Sequence, residues 1–349
     1  MASGVEEAAM RRAVELAGRG AGSTLPNPVV GCVLLSPDGV TVGEGWHERA
    51  GGPHAEIVAL AEARDRARGA TAVVTLEPCA HTGRTGPCAD ALVAAGVQRV
   101  VVAVCDPWQP ASGGVAKLRA AGVDVETGVL EAAARAGNEP WLVAMARGRP
   151  FVTWKFAATL DGRCAAVDGT SRWITGEAAR ADVHKIRSQV DAVLVGVGTV
   201  LADDPMLTVR DAAGRAAPRQ PLRVVADTEG RTPAAANVRN SDAATWIATA
   251  DELGRDADRR LDLSALMAGL HARERRHVLL EGGPRLAGAM IRSALVDRVV
   301  AYLAPALLGS GLAALEDAGV RSLGGIHRLA LDDVTQLGAD IRLTAHVTH

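Results

Sequence analysis

Two short stretches carry side chains that can do metal chemistry. His54-Ala55-Glu56 stands just ahead of an apolar run, and Pro78-Cys79-Ala80-His81-Thr82-Gly83-Arg84-Thr85-Gly86-Pro87-Cys88 joins two further elements. His54, Cys79 and Cys88 supply one imidazole and two thiolates as ligands for Zn²⁺. They leave the fourth tetrahedral position to water, as in catalytic rather than structural zinc sites. Cys88 falls at the start of an expected helix, whose unpaired backbone N–H groups favour its thiolate. Glu56, two residues beyond the ligand, is placed to take a proton from the activated water and return it to a leaving amine. His81 could close the site as a fourth ligand. Cys32, inside an apolar run, reads as a small core residue.

A carboxylate that is not a ligand is the division of labour of zinc nucleobase deaminases, whose signature has two residues between the cysteines; here eight intervene. The longer loop has room for extra substrate contacts. Elsewhere, Leu279-Leu280-Glu281-Gly282-Gly283-Pro284 reads as a strand turning through a glycine pair into a helix. Such a turn aims bare N–H groups at a ligand, and a dinucleotide pyrophosphate suits it. Gly196-Val197-Gly198-Thr199 alone is a weak nucleotide signal, and Lys155, Asp161 and Asp203-Asp204-Pro205 alone would pass as surface residues.

These groups need a scaffold, and 349 residues leave room for two domains. Five cysteines, an odd number, argue for a reducing compartment. Thirty-eight Lys and Arg against 40 Asp and Glu give a formal charge of -2, which excludes a global field that recruits nucleic acid or anionic membrane. No apolar run approaches the ~18 residues of a membrane span, and Glu6, Glu7, Arg11 and Arg12 interrupt any leader-like start. A cytoplasmic location is expected.

Periodicity predicts helices over Val5–Ala17, from His54 to about Arg68, and over Cys88–Ala95, Val115–Ala121 and Glu131–Arg147. Strands are expected at Val29–Leu35, Val40–Gly45, Ala70–Leu76, Val97–Val104 and Val123–Thr127. Gly148-Arg149-Pro150 then breaks the chain, so domains of 1–148 and 149–349 are expected. The second half continues with strands at Phe151–Phe156, Ala192–Val197, Leu222–Ala226, Thr245–Ala248 and His277–Leu280, without a second cysteine loop. This alternation is that of an α/β protein.

The motifs together resemble one family. Pro26-Asn27-Pro28-Val29-Val30-Gly31, His54-Ala55-Glu56 and Leu76-Glu77-Pro78-Cys79 through Cys88 are similar to the deaminase half of bifunctional riboflavin biosynthesis deaminase-reductases. Lys155 with Leu160-Asp161-Gly162-Arg163, Trp173-Ile174-Thr175, Val200 to Pro205 with Leu207-Thr208-Val209-Arg210, and Glu281-Gly282-Gly283-Pro284 resemble the reductase half. The resemblance implies a cytidine-deaminase-like α/β/α sandwich followed by a dihydrofolate-reductase-like α/β domain that uses NADPH. It implies deamination of 2,5-diamino-6-(ribosylamino)pyrimidinone 5'-phosphate, then reduction of the ribosyl group to ribityl, in a homodimer or higher homo-oligomer.

By the same resemblance Asn27, His47, His81 and Arg84 bind substrate in the first half, with Arg84 on the phosphate. In the second half Lys155, Ser171, Arg187, Leu207, Arg210 and Glu281 hold substrate, Arg187 and Arg210 gripping the phosphate by charge-assisted hydrogen bonds. Ala157, Trp173, Thr199, Asp203, Thr228 and the run Gly283, Pro284, Arg285, Leu286, Ala287, Gly288, Ala289 line the cofactor. Asp106-Pro107-Trp108-Gln109-Pro110 departs from the family pattern, which more often has Asn after the first proline. Two readings compete. A nucleic-acid deaminase with an RNA-binding module would need a basic, aromatic surface that the second half lacks. A non-catalytic zinc or nucleotide scaffold would have no use for Glu56 beside an open site.

Overall fold

Ser3 and Glu6 start the first helix, α1 (Gly4–Gly18), by capping each other's backbone N–H groups in the computed structural model, which describes residues 2–81, 86–211 and 214–348. The chain divides into two compact units, Met1–Arg147 and Gly148–His349. The first unit continues through β1 (Gly31–Leu35), β2 (Thr41–Trp46), α2 (Ala55–Ala63), β3 (Thr71–Leu76), α3 (Cys88–Ala94), β4 (Arg99–Val104), α4 (Gly114–Ala120), β5 (Asp124–Thr127) and α5 (Glu131–Arg147).

Its sheet runs β2-β1-β3-β4-β5, antiparallel across β2-β1-β3 and parallel across β3-β4-β5. The central strands are apolar runs because both of their faces are covered. Alternate side chains serve opposite layers: Cys32, Leu34, Val74 and Val102 pack under α2, α3 and α4, whereas Val33, Leu35, Val73 and Val101 pack on α1 and α5. The result is a three-layer α/β/α sandwich. Gly45 sets one spacing within it, since a Cβ there would come 2.3 Å from the Ala55 carbonyl oxygen. Its absence lets α2 begin hard against β2.

The α2 helix ends sooner than its expected limit near Arg68. Arg64 takes a positive φ of 51°, and Arg64–Ala67 forms a single 3₁₀ turn. Arg66 donates to the Ala63 and Glu62 carbonyls, which would otherwise be left open at the helix end.

The second unit comprises β6 (Phe151–Thr159), β7 (Arg163–Ala165), α6 (Glu177–Ser188), β8 (Ala192–Gly196), α7 (Val197–Asp203), β9 (Leu222–Ala226), β10 (Thr245–Ala248), α8 (Ala250–Leu253), α9 (Leu263–Ala272), β11 (His277–Leu280), α10 (Pro284–Arg292), β12 (Arg298–Ala304), β13 (Leu312–Ala313), β14 (Leu329–Leu337) and β15 (Asp340–Val347). Eight strands form one sheet in the order β10-β9-β8-β11-β6-β12-β15-β14. It is parallel from β10 to β12 and antiparallel thereafter. Strand β6 runs to Thr159, beyond the expected Phe156, because β12 pairs with it as far as Ala304. Residues from α9 and α10 bury one face of this sheet; Val197 and Val200 of α7, and α6 farther along, bury the other.

Candidate active sites

Zinc-type donors converge in the first unit because three element boundaries meet there. His54 is the residue before α2, Cys79 follows β3, and Cys88 is the first residue of α3. His54 Nδ1 lies 3.6 Å from Cys79 Sγ and 3.3 Å from Cys88 Sγ, and the three donor atoms all fall within 4.8 Å of one another. A tetrahedral Zn²⁺ with ordinary bond lengths separates its N and S ligands by roughly 3.3–3.8 Å, so geometry and donor chemistry both fit that ion. Among the described residues the donor cluster has these three members, and His81 is not one of them.

The N–H at the start of α3 serves the neighbouring thiol rather than that of Cys88 itself. The Cys88 backbone N–H donates to Cys79 Sγ at 3.3 Å, so α3 favours the thiolate of Cys79. The Cys79 thiol is pushed well below the usual thiol range, first by its hydrogen bond with Cys88 and further by His54. The reason is directional: a first-turn N–H points back out of the helix, towards the preceding loop. Glu56 is buried beside the cluster, and burial pushes its carboxyl up to about 7.

Asn27 and His47 extend the site. Asn27 Nδ2 is 3.2 Å from His47 Nε2, His47 Nδ1 is 3.0 Å from the Pro53 carbonyl, and the His47 ring stands edge-on to His54 with centroids 5.4 Å apart. His81 lies with its ring perpendicular to Trp108 at 5.6 Å, and its buried Nδ1 has no hydrogen-bond partner among the described residues. Arg84, expected on the phosphate, lies outside the described residues.

Two positioning residues escaped the sequence reading. Glu77 accepts from the N–H groups of Asp106, Gly113 and Val115 at 2.9–3.1 Å, tying the Asp106 loop and the start of α4 beneath Pro78-Cys79. Gly114 permits that approach, because a Cβ there would sit 1.7 Å from the Pro78 carbonyl oxygen. Asn138, buried in α5, donates to the Val29 carbonyl at 2.6 Å and accepts from the Val29 N–H at 2.8 Å, steadying the Asn27 segment. A carboxylate ending an apolar strand was visible as a signal for Glu77. Only burial reveals Asn138.

In the second unit the expected groups gather at the carboxyl ends of β6, β8 and β11, where ligands bind in open α/β sheets. Gly283 precedes α10, Pro284 opens it, and the Gly283 N–H donates to Thr199 Oγ1 at 3.1 Å. The N–H groups of Arg285 and Leu286 lie in the first turn and have no place in the helical ladder, which fits a phosphate-bearing cofactor such as NADPH. Ala287 and Gly288, expected with Ala289 in the cofactor lining, make contacts within the protein. The Ala287 N–H is already given to Gly283, its side chain is core, and Gly288 packs against the Glu316 carbonyl. The Gly196 to Thr199 run is the start of α7 rather than a free turn.

Asp203 accepts from Ser171 Oγ at 3.3 Å, Trp173 is 70% exposed under the Arg180 guanidinium, and Thr228 Oγ1 accepts from the Leu261 N–H. Arg187, expected on the phosphate, is held within the protein. Its Nε and Nη2 donate to both oxygens of Glu281 at 2.5 and 2.8 Å, and Nη1 donates to the Thr208 carbonyl, so its fork is committed within the protein. Arg210, whose buried Nε has no partner among the described residues, keeps capacity for an anion. Leu207 turns its apolar side chain into the core. Lys155 and Ala157 lie on β6. Burial pushes the Lys155 ammonium below the usual lysine range, against the pull of Glu281.

A His-Cys-Cys donor set with an adjacent buried carboxylate, on an α/β/α sandwich and joined to a glycine-turn α/β unit, defines a zinc-dependent deaminase coupled to a dinucleotide-dependent reductase. Residues 4–104 match the cytidine and deoxycytidylate deaminase zinc-binding region, and residues 150–343 match the RibD C-terminal domain. The riboflavin biosynthesis protein RibD of Mycobacterium tuberculosis is 46% identical over 337 residues, 96% of each chain. That of Escherichia coli is 42% identical over 363 residues, 97% of this chain and 98% of its own. The solved structure of Acinetobacter baumannii RibD superposes with a TM-score of 0.89 at 42% identity, covering 99% of both chains. The chain belongs to the RibD family of riboflavin biosynthesis. It is an enzyme with deaminase and reductase activities, and zinc and NADPH are its cofactors.

Proposed function

We propose that residues 1–148 remove the exocyclic amine of 2,5-diamino-6-(ribosylamino)pyrimidinone 5'-phosphate and that residues 149–349 reduce the ribosyl group of the product to ribityl. The observation that carries this reading is the convergence of His54, Cys79 and Cys88 beside buried Glu56. A solved Thermotoga maritima diaminohydroxyphosphoribosylaminopyrimidine deaminase and 5-amino-6-(5-phosphoribosylamino)uracil reductase, 34% identical with a TM-score of 0.88, supports the substrate class.

His54, Cys79 and Cys88 would hold zinc, which supplies a solvent nucleophile activated at neutral pH. Glu56 accepts the proton released as oxygen adds to the ring carbon and gives it to the departing nitrogen, so that ammonia leaves as the C–N bond breaks. Asn27 and His47, braced on Pro53, and the unpartnered His81 Nδ1 orient the pyrimidine. Arg84 takes the phosphate.

For the second step NADPH supplies the hydride, and the turn at Gly283 to Leu286 with Thr199, Asp203, Trp173 and Thr228 holds it. Lys155 donates a proton to the opened sugar, Arg210 grips the phosphate, and Arg187 fixes Glu281 rather than binding substrate itself. Alignment of donor and acceptor carbons is the main demand on this unit.

The exposed apolar side chains Leu329, Leu331 and Val334 on edge strand β14 support a homodimer. No helix among the described residues is long and apolar enough to cross a membrane, which agrees with a cytoplasmic enzyme. The test is to give the zinc-loaded protein the phosphorylated diaminopyrimidine and follow ammonia, then NADPH absorbance. Ammonia followed by one NADPH consumed per product is expected. Ammonia without any cofactor oxidation removes the second half of the reading, and no ammonia removes the first.

A further inference from the structure

Lys155, Glu281 and Tyr302 form a row across three neighbouring strands. Leu280 pairs with Trp154, which sets Glu281 next to Lys155 on one side. On the other, Lys155 pairs with Val300 and Ala157 with Tyr302, so Lys155 and Tyr302 share a sheet face as diagonal neighbours. The Lys155 Nζ lies 5.8 Å from the centre of the Tyr302 ring. Among the described residues it has no ion-pair partner, because the Glu281 carboxylate is taken by Arg187. A partly buried ammonium without a paired anion needs another source of stabilisation, and the negative face of an aromatic ring supplies one.

That ring is held from behind. Tyr302 is fully buried, and its hydroxyl donates to Asp182 Oδ2 at 2.7 Å. Arg342 Nη1 donates to the same oxygen at 2.9 Å, while Arg342 Nη2 donates to Asp333 and Thr335 on β14. The charged and titratable groups that bear on Lys155 are His184 and Arg187 from α6 and Glu281 from the turn after β11, with the Tyr302 ring from β12, while Asp182 from α6 and Arg342 from β15 act on Tyr302. Of these, among the described residues, Tyr302 is the one whose ring the Lys155 ammonium faces.

We propose that Tyr302 is a positioning residue of the reductase, whose ring, clamped by Asp182 and Arg342, keeps the Lys155 ammonium charged and in place beside Glu281. This rests on the reading that Lys155 serves the reduction. The network has no role in gripping phosphate or cofactor, so its effect falls on proton supply.

The chain has three lysines, Lys117, Lys155 and Lys185, and a single tyrosine, Tyr302. Each can therefore be followed individually. In the zinc-loaded full chain without NADPH, brief acetylation across a pH series, read by peptide mass spectrometry, gives the titration midpoint of each lysine, with Lys117 and Lys185 as internal references. In Tyr302→Leu and Tyr302→Met the Lys155 midpoint is expected to fall by about one pH unit. Tyr302→Phe, which keeps the ring, shifts it by much less. The alkaline limb of the reductase pH profile moves down by the same amount, since the unprotonated fraction grows.

A measurement on the native chain needs no variant to fold. With ring-labelled tyrosine, the one aromatic resonance should titrate at the Lys155 midpoint and stop doing so in Lys155→Met. A Lys155 midpoint unmoved in a folded Leu or Met variant, an equal shift in Tyr302→Phe, or a tyrosine resonance blind to that titration overturns the proposal. Full reduction by Lys155→Ala would instead remove the reading beneath it, whatever the acetylation midpoints show.

Discussion

The two active sites are built by different devices. In the first unit the chemistry comes from the ends of elements: His54 before α2, Cys79 after β3 and Cys88 at the start of α3. Short motifs therefore carry nearly all of it. In the second unit the reacting groups stand side by side across a parallel sheet, Glu281 next to Lys155 and Lys155 next to Tyr302. There the neighbours are more than a hundred residues apart in the chain, and strand register alone makes them meet. A site made at element ends tolerates changes in the sheet but not in its loops, whereas a site made across strands is as sensitive to a partner's charge as to the reacting group.

The largest separation of the two sites should come from Cys88→Ala. Zinc content should fall to background and ammonia release should vanish, while the variant still oxidises NADPH with the deaminated substrate. Loss of both activities together would break the contrast.

Glu56→Gln comes next. Metal analysis should find zinc retained and deamination slowed by about 10²–10⁴. Zinc loss in this variant would make Glu56 a ligand instead.

Glu281→Leu leaves the buried Arg187 guanidinium without its partner and should destabilise the second unit by about 3–5 kcal/mol. Urea unfolding followed by hydrogen exchange of β6 would detect it, and an unchanged midpoint would show that the pair is not needed.

A smaller effect is expected at Glu77→Gln. An amide can satisfy fewer of the three N–H donors than the carboxylate, so zinc affinity or deamination should fall about 10-fold with reduction untouched. A matched loss in both activities would mean general unfolding.

The smallest effect is a pH slope. Lys155 has its pKa lowered in the folded protein, so the unfolded chain binds more protons, and the stability of this unit should rise with pH through the window between the lowered value and the ordinary one near 10.5. Lys155→Met should flatten that slope, and an identical slope in the variant would place the titration elsewhere.

Much of the first site was legible because its residues are local. The helix starts, the strand runs and the ligand set follow from motifs a few residues long, and Cys32 is a buried core residue as expected. What was misjudged there is directional: the N–H at Cys88 serves Cys79, since a helix's first N–H points outwards to the preceding loop. Glu77 and Asn138 were missed because their partners are backbone groups, Asn138 meeting Val29 from α5 and Glu77 meeting the Asp106 loop and the start of α4. In the second site, the resemblance put Arg187 on the phosphate, and the nearby Asp182 and Asp191 gave no hint of the partner that holds its fork. Glu281 does so from 94 positions away.

From sequence alone came the donor set His54, Cys79 and Cys88, the carboxylate Glu56, the glycine turn before α10 and the α/β alternation, all of which depend on residue type and short spacing. Tertiary structure decided which sulfur receives the helix N–H, which arginine remains open to an anion, and what surrounds Lys155. Those outcomes depend on the register and packing of strands distant in the chain. They are fixed by burial, where an unpaired charge or N–H costs most, and local pattern carries no record of them.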